Sequence, residues 1–595
     1  MIFDTNFGRG DIVMLYPQSN RHRQVFDLSG FWEIRFDPDD EGNAAGWVSG
    51  FDDGRPVAVP ASWNEQFNDM RDYTGFAWYQ TRFDLPWHLG IRKYMLRFGS
   101  VNLLAEVWLN GERLGSHEGG HLPFEFDATR LLRAEDNRLV IRVDGTLAPD
   151  RVPPGNVPVT IEDRFAEVSY PDGSFDFFPY CGIHRPVLLY AVDEGCLSDL
   201  TIVTDIEGET GLVSVQLLRD VVDPVGARIT LIGHGESVSA ELEFTSKASV
   251  VLEVPRAALW SPGSPNLYEL IVDLERDGQD FDRYVLPVGI RTISVEGEQL
   301  LLNGQPIYLK GFGRHEDFPV VGRGYFPAVI IKDYGLLEWI GANSFRTTHY
   351  PYSEQMMNLA DRLGFLVIDE TPAVGLFFAE EGLDRRLSLC RQYTSELISR
   401  DKNHPSVIAW SLANEPHSHR PAAEAFFRNL YDLARSLDAT RPITVVSAVG
   451  MKEDAFTFVD FMCLNRYYGW YTDAGQLDVG CERLSKELDE LYSQYRKPLV
   501  LTEFGADTVS GCHSEPPEMF SEEYQAEMLT RYIEILRGKP FVVGEHVWNM
   551  CDFKTGQSAR RVGGLNLKGV FTRDRRPKMA AHSLRQLWKD QTEDR

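Results

Sequence analysis

The segment SVIAWSLANEPH, residues 406–417, is a short apolar run that ends on an amide, a carboxylate and a proline. Its length and composition suit a buried strand. Seven further runs share that texture, at 307–312, 343–348, 365–370, 442–448, 459–465, 497–503 and 541–548. Amphipathic stretches at 328–341, 353–363, 386–401, 421–436, 482–496 and 521–537 separate most of them. Eight strands alternating with helices over roughly 290 residues predict a (β/α)8 TIM barrel. A doubly wound open sheet is the alternative, but eight repeats favour closure.

Upstream of this region the pattern is β throughout. YMLRFGSVNLLAEVWLNGERLGSHEGG (94–120) alternates apolar and polar residues and carries Asn110-Gly111, a hairpin signal; NRLVIRVDG (137–145) repeats the alternation. A jelly-roll β-sandwich is predicted over 1–195. LTIVTDI, GLVSVQLLRD, RITLIG, ASVVLEVP and LYELIVDLER follow as short strands broken by Gly, Asp or Pro. They predict a second, immunoglobulin-like β-sandwich over 196–291, which leaves 292–595 to the barrel.

A chain of 595 residues is too long for a single core, and three domains fit its length. Its 43% hydrophobic and 25% charged residues are ordinary for a soluble protein. The formal net charge of -28 argues against a nucleic-acid partner and against an anionic membrane surface. No apolar run approaches the ~20 residues of a membrane span. The N-terminal stretch MIFDTNFGRGDIVMLYPQ lacks the basic-then-apolar pattern of a leader, so a cytoplasmic location is expected. The seven cysteines are scattered, odd in number and free of any C-x-x-C, which suits reduced thiols better than disulfides or zinc.

Barrels of this kind carry their chemistry on the C-terminal ends of the strands. Those ends offer Arg314 and His315, Arg346 and His349, Asp369 and Glu370, Asn414 and Glu415, Asn465, Tyr467 and Tyr471, Glu503, and Glu545, His546 and Trp548. No metal-ligand spacing appears, and His417 and His419 read as a solvated loop, so neither a metal nor a cofactor is expected. Glu415 and Glu503 end the fourth and seventh strands, where they would face each other across the mouth. Cleavage of a glycosidic bond needs such a pair: one carboxyl protonates the leaving oxygen while the other attacks carbon or activates water.

Long segments carry a resemblance to glycoside hydrolase family 2, and within it to the bacterial β-glucuronidases: FDFFPYCGIHRPVLLY (175–190), KGFGRHEDFP (310–319), RTTHYPY (346–352), RDKNHPSVIAWSLANEP (400–416), LNRYYGWY (464–471), LTEFGADT (501–508) and KGVFTRDRRPK (568–578). The resemblance implies a retaining double displacement with Glu503 as nucleophile, Glu415 as acid/base and Asn414 at the sugar 2-hydroxyl. It assigns Asn566 and Lys568, in GGLNLKG, to the C6 carboxylate of a glucuronide. Their spacing agrees, because alternate side chains of an extended loop point the same way. With a Debye length of ~8 Å, such local donors can outweigh the protein's net negative charge. Arg561 and Tyr471 are further contacts by the same resemblance, and Asp176, His315, Tyr467 and Trp548 are expected to line the sugar pocket.

The expected substrate is a glucuronide conjugate or a glucuronic-acid-terminated saccharide, and the family's habit is a homo-oligomer, dimer or tetramer. A β-galacturonidase, a neutral β-galactosidase or β-mannosidase, and a non-catalytic sugar-binding protein are the alternatives. Two departures stand out. Leu565 intervenes between Gly-Gly and Asn566, which lengthens that loop. The segment AVGLFFAEEGLD after the third strand is short, so a comparatively open leaving-group side is expected.

Overall fold

Eight parallel strands close on one another: β1 (Leu309–Arg314), β2 (Ser344–Thr347), β3 (Leu366–Glu370), β4 (Val407–Asn414), β5 (Ile443–Ser447), β6 (Met462–Asn465), β7 (Leu499–Glu503) and β8 (Val542–Val547). β8 pairs back onto β1, with Leu309 opposite Gly544 and Phe312 opposite Val547, so the sheet has no edge and the open-sheet alternative falls. This computed structural model describes residues 15–88, 90, 92–158 and 169–589. The N-terminal stretch read as leaderless lies largely outside them.

Every residue of β4 is buried, as expected of a strand covered by helices outside and packed side chains inside. The helices α1 (Pro327–Ile340), α2 (Glu354–Leu363), α3 (Leu383–Asp401), α4 (Pro421–Leu437), α5 (Leu477–Tyr495) and α6 (Glu522–Arg537) stand close to the predicted positions. α2 and α6 start on Ser353 and Ser521, whose side chains accept the N–H of Met356 and Tyr524. Such caps contribute about 1 kcal/mol each. A further helix, α7 (Met579–Lys589), went unpredicted. It buries Leu584 and Trp588 behind the barrel, and the Trp588 indole donates to Glu545 Oε1 at 2.8 Å. Glu545 is thus a structural acid, although it falls near a strand end.

The N-terminal region is a sandwich of a four-stranded and a six-stranded sheet around Trp63, Tyr79, Phe98, Ile141 and Leu189. The next region packs three strands on four, the count of an immunoglobulin-like sandwich, around Val213, Ile229 and Leu270. A small antiparallel sheet then enters the barrel's N-terminal end, where Ile293, Leu300 and Leu302 pack with Leu309, Ile368 and Ala409. That end is plugged by apolar side chains. Chemistry is left to the opposite mouth, to which the N-terminal sandwich contributes the segment around Asp176.

Candidate active site

The mouth holds a cavity of about 630 Å³ lined by Asn414, Glu415, Glu503, Tyr467, Tyr471, Trp548, Asp176 and Arg561, among others. Eight of the eleven residues singled out from sequence therefore meet in one place. Glu503 is the last residue of β7. Glu415 follows β4 directly, with φ at 46° and its N–H bonded to the Val446 carbonyl of β5 at 2.8 Å. A left-handed conformation is uncommon for glutamate, and strained backbone of this sort concentrates at functional sites.

A chain of hydrogen bonds joins the two carboxyls. Asn465 Nδ2 donates to Glu415 Oε1 at 2.7 Å and to Asn414 Oδ1 at 3.2 Å. Arg346 Nη1 reaches the same Asn414 oxygen at 3.3 Å, while Nη2 donates to Glu503 Oε1 at 2.5 Å. The Tyr467 hydroxyl donates to Glu503 Oε2 at 2.6 Å. Arg346 also binds both oxygens of Glu370 at 2.7 Å, and Glu370 accepts from His349 Nδ1 at 2.9 Å. Arg346 thus faces two carboxylates and stays charge-balanced by Glu370 even if Glu503 loses its charge.

Burial pushes the Glu503 carboxyl up to about 8; the Arg346 guanidinium opposes that rise and the charge of Glu415 adds to it. Desolvation raises Glu415 as well, against the Asn465 amide. Two raised carboxyls in one cavity share a proton at neutral pH. The donors decide its seat. Both oxygens of Glu503 already accept hydrogen bonds from Arg346 and Tyr467, whereas Glu415 accepts through Oε1 from an amide. The ionised form is better satisfied on Glu503, so the proton belongs on Glu415.

The polar wall around Arg561 is built on a small ribbon. Leu565–Asn566 pairs antiparallel with Phe553–Lys554, and Gly563 and Gly564, at φ 66° and 68°, turn the chain into it. Leu565 occupies a ribbon position opposite Lys554. Asn566 and Lys568 do not converge as alternation in an extended loop predicts. Asn566 Oδ1 accepts the Lys568 N–H at 3.1 Å, a local turn that ends the alternation. Asn566 Nδ2 then bonds Asp176 Oδ2 at 2.9 Å, whereas Lys568 Nζ bonds Tyr471 Oη at 2.7 Å and pairs with Asp507. Arg561 spans both acids: Nε to Asp176 at 2.9 Å, Nη1 to Asp507 at 3.3 Å, and Nη2 to the Tyr471 oxygen at 2.8 Å. Arg561, Tyr471 and Asp176 face the cavity, and Asn566 and Lys568 lie behind them.

His315 also departs from expectation. Its ring is sealed against Phe553, Phe177 and Trp548, with centroids 4.1, 5.2 and 5.4 Å away, and Nδ1 meets the Tyr350 hydroxyl at 3.1 Å. Burial holds this imidazole well below its usual range, so it stays neutral. It supports Trp548 instead of lining the cavity. Trp548 itself lines the cavity and stacks on His349 at 5.0 Å. Arg346, Glu370 and Asn465 were visible only as polar residues at strand ends; Asp507 carried no signal beyond its place four residues after Glu503. Among the described residues, no group of three or more His, Cys, Asp or Glu is arranged to hold a metal ion.

Comparison with known proteins adds sequence and structural relatives. The profile described as glycosyl hydrolases family 2, TIM barrel domain, matches residues 293–592; those of the family's sugar binding domain and of glycosyl hydrolases family 2 match 25–193 and 196–291. A β-glucuronidase of Paenibacillus borealis is 43% identical over 593 residues, covering 97% of this chain and 98% of that protein. The structure of a β-D-glucuronidase from Dictyoglomus thermophilum superposes with a TM-score of 0.88 at 42% identity, over 97% of this chain and 98% of that one. That of a Ruminococcus gnavus β-glucuronidase in complex with D-glucuronic acid gives a TM-score of 0.91 at 38% identity, over 97% and 100%.

Proposed function

The chain belongs to glycosyl hydrolase family 2, and from that premise we propose that it is a retaining β-glucuronidase, releasing terminal β-D-glucuronic acid. One observation carries this reading: a cavity holding a glutamate pair has Arg561 and Tyr471 in one wall, with Asn566 and Lys568 bonded directly behind it through Asp176 and Tyr471. The pair suits cleavage of a sugar bond, and the wall suits a glycone that ends in a carboxylate.

Glu503 attacks the anomeric carbon while Glu415 gives its proton to the glycosidic oxygen. The leaving group departs and a glycosyl ester remains on Glu503. Esterification removes one negative charge from the pair, which lowers the affinity of Glu415 for a proton. Glu415 then takes a proton from water as the water attacks the same carbon, and glucuronic acid leaves with its anomeric configuration retained. Arg346 holds Glu503 in place for attack. Asn414, beside Glu415 and held by Arg346 and Asn465, binds the 2-hydroxyl in this reading.

The leaving-group side supports bulky conjugates or saccharide chains. The segment after β3 is packed down, with residues 373–378 buried and Val374 and Gly375 in the cavity lining. Aryl β-D-glucuronide, β-D-galacturonide and β-D-glucoside, assayed side by side, test the reading. The glucuronide is expected to have the highest kcat/KM. A neutral glycoside or the galacturonide turned over faster would overturn the assignment.

A further inference from the structure

Asp507 sits where the nucleophile's loop meets the carboxylate-reading wall. Lys568 has no exposed side-chain surface, and the rings of Tyr471, Trp470 and Tyr467 surround its ammonium, with centroids at 4.6, 5.6 and 5.7 Å. Aromatic faces attract a cation, but they do not replace the solvation it loses on burial. Among the described residues, Asp507 is the carboxylate within ion-pair distance of Lys568. The same carboxylate accepts from Arg561 Nη1 and from the Leu567 N–H at 2.8 Å. Burial alone would raise the Asp507 carboxyl; Lys568 first and then Arg561 outweigh that effect and hold it below the usual range. Asp507 is therefore an anion held between the two cations of the wall.

Its position in the chain matters as much as its charge. Asp507 follows Glu503 by four residues, and the next residue, Thr508, donates its N–H to the Leu567 carbonyl at 3.0 Å. The Asp507–Leu567 and Leu567–Thr508 bonds stitch the segment leaving β7 to the segment carrying Asn566 and Lys568. A glucuronide has a fixed span between C1, attacked by Glu503, and its C6 carboxylate. A rigid link between the nucleophile's segment and the cationic wall sets the matching span in the protein.

We propose that Asp507 is a positioning residue that determines specificity, anchoring Lys568 and Arg561 at the distance from Glu503 that a uronic acid requires. The proposal rests on the glucuronidase reading above. It makes no contact between Asp507 and substrate; Asp507 acts through the two cations.

The test compares wild type, Asp507→Asn and Asp507→Glu on an aryl β-D-glucuronide and the matching β-D-glucoside. Asp507→Asn keeps the shape and removes the charge, so KM for the glucuronide should rise at least tenfold with kcat changed less than threefold. The glucoside, which has no carboxylate to misplace, should keep its kcat/KM within about twofold. Asp507→Glu restores the charge one methylene out of register and should recover part of the lost glucuronide affinity. An equal loss on both substrates would mark a purely structural role and overturn the proposal, as would an unchanged glucuronide KM. If Asp507→Asn does not fold, as judged by thermal melting, the same comparison in Asp507→Glu decides: a rise in KM confined to the glucuronide supports the proposal, and its absence overturns it. Failure of the wild type to cleave the glucuronide would refute the enzyme assignment itself, an outcome distinct from these.

Discussion

At the scale of single residues, the site depends on giving two like side chains different protonation. Glu503 is enclosed by Arg346 and Tyr467, whereas Glu415 meets the Asn465 amide. The pair keeps a proton above the usual carboxylate range, with Glu503 pushed up to about 8. Activity should therefore persist through neutral pH and fall in alkaline solution as that shared proton is lost. Glu415→Gln has no such proton. With an activated aryl leaving group, which departs without acid assistance, its pre-steady-state burst should lack the alkaline fall that wild type shows on a poor leaving group. The same alkaline limb in both proteins would contradict the assignment of Glu415. The two glutamates were legible in sequence because each closes an apolar run. The Arg346–Glu370 pairing was not, because it joins the ends of β2 and β3 and shows only once the strands lie side by side.

At the scale of elements, neighbouring strands are close enough that small residues become structural requirements. A Cβ built on Gly505, two residues beyond Glu503, would lie 2.2 Å from the carbonyl oxygen of Trp548, beyond β8. Gly505→Ala must push these segments apart and shift both Glu503 and Trp548. A destabilisation of about 1–3 kcal/mol is expected from such overpacking, with kcat lowered at least tenfold. Thermal melting and steady-state kinetics check it together; near-normal values of both would show that the segments yield without consequence. The strands and six of the helices were readable from apolar periodicity. α7 was not, because only four residues, Ala580, Ala581, Leu584 and Trp588, mark its buried face. The turn at Asn566 was equally hidden: a side-chain bond to the Lys568 N–H overrides the alternation that the spacing suggests.

At the scale of the whole molecule, the N-terminal sandwich completes the barrel's mouth. Arg573 and Lys554 of the barrel domain bind Glu65 of the sandwich at 3.0 and 2.9 Å. Arg573 also binds Asp317 at 2.7 Å, with the Tyr180 hydroxyl against the same acid. Burial would raise the Asp317 carboxyl, but Arg573 overcomes it and holds the group below its usual range. Arg573→Met leaves that buried acid uncompensated and should lower stability by about 3–5 kcal/mol at neutral pH. A carboxyl with a lowered folded value contributes its stability above the unfolded value and loses it as pH falls through the folded one. The gap between variant and wild type should therefore narrow in acid. Denaturant melts at several pH values measure this, and a gap that is absent or constant with pH would refute it. The amino-acid sequence by itself determined the three-domain order, the barrel and the glutamate pair, because apolar periodicity and residues at strand ends are local properties of the chain. Only the tertiary structure decided that Lys568 is buried against Asp507, that Asp176 bonds Asn566, and that His315 stands behind Trp548. Those pairings join residues up to 390 positions apart, and a buried charge takes its partner from whichever segment folding brings near.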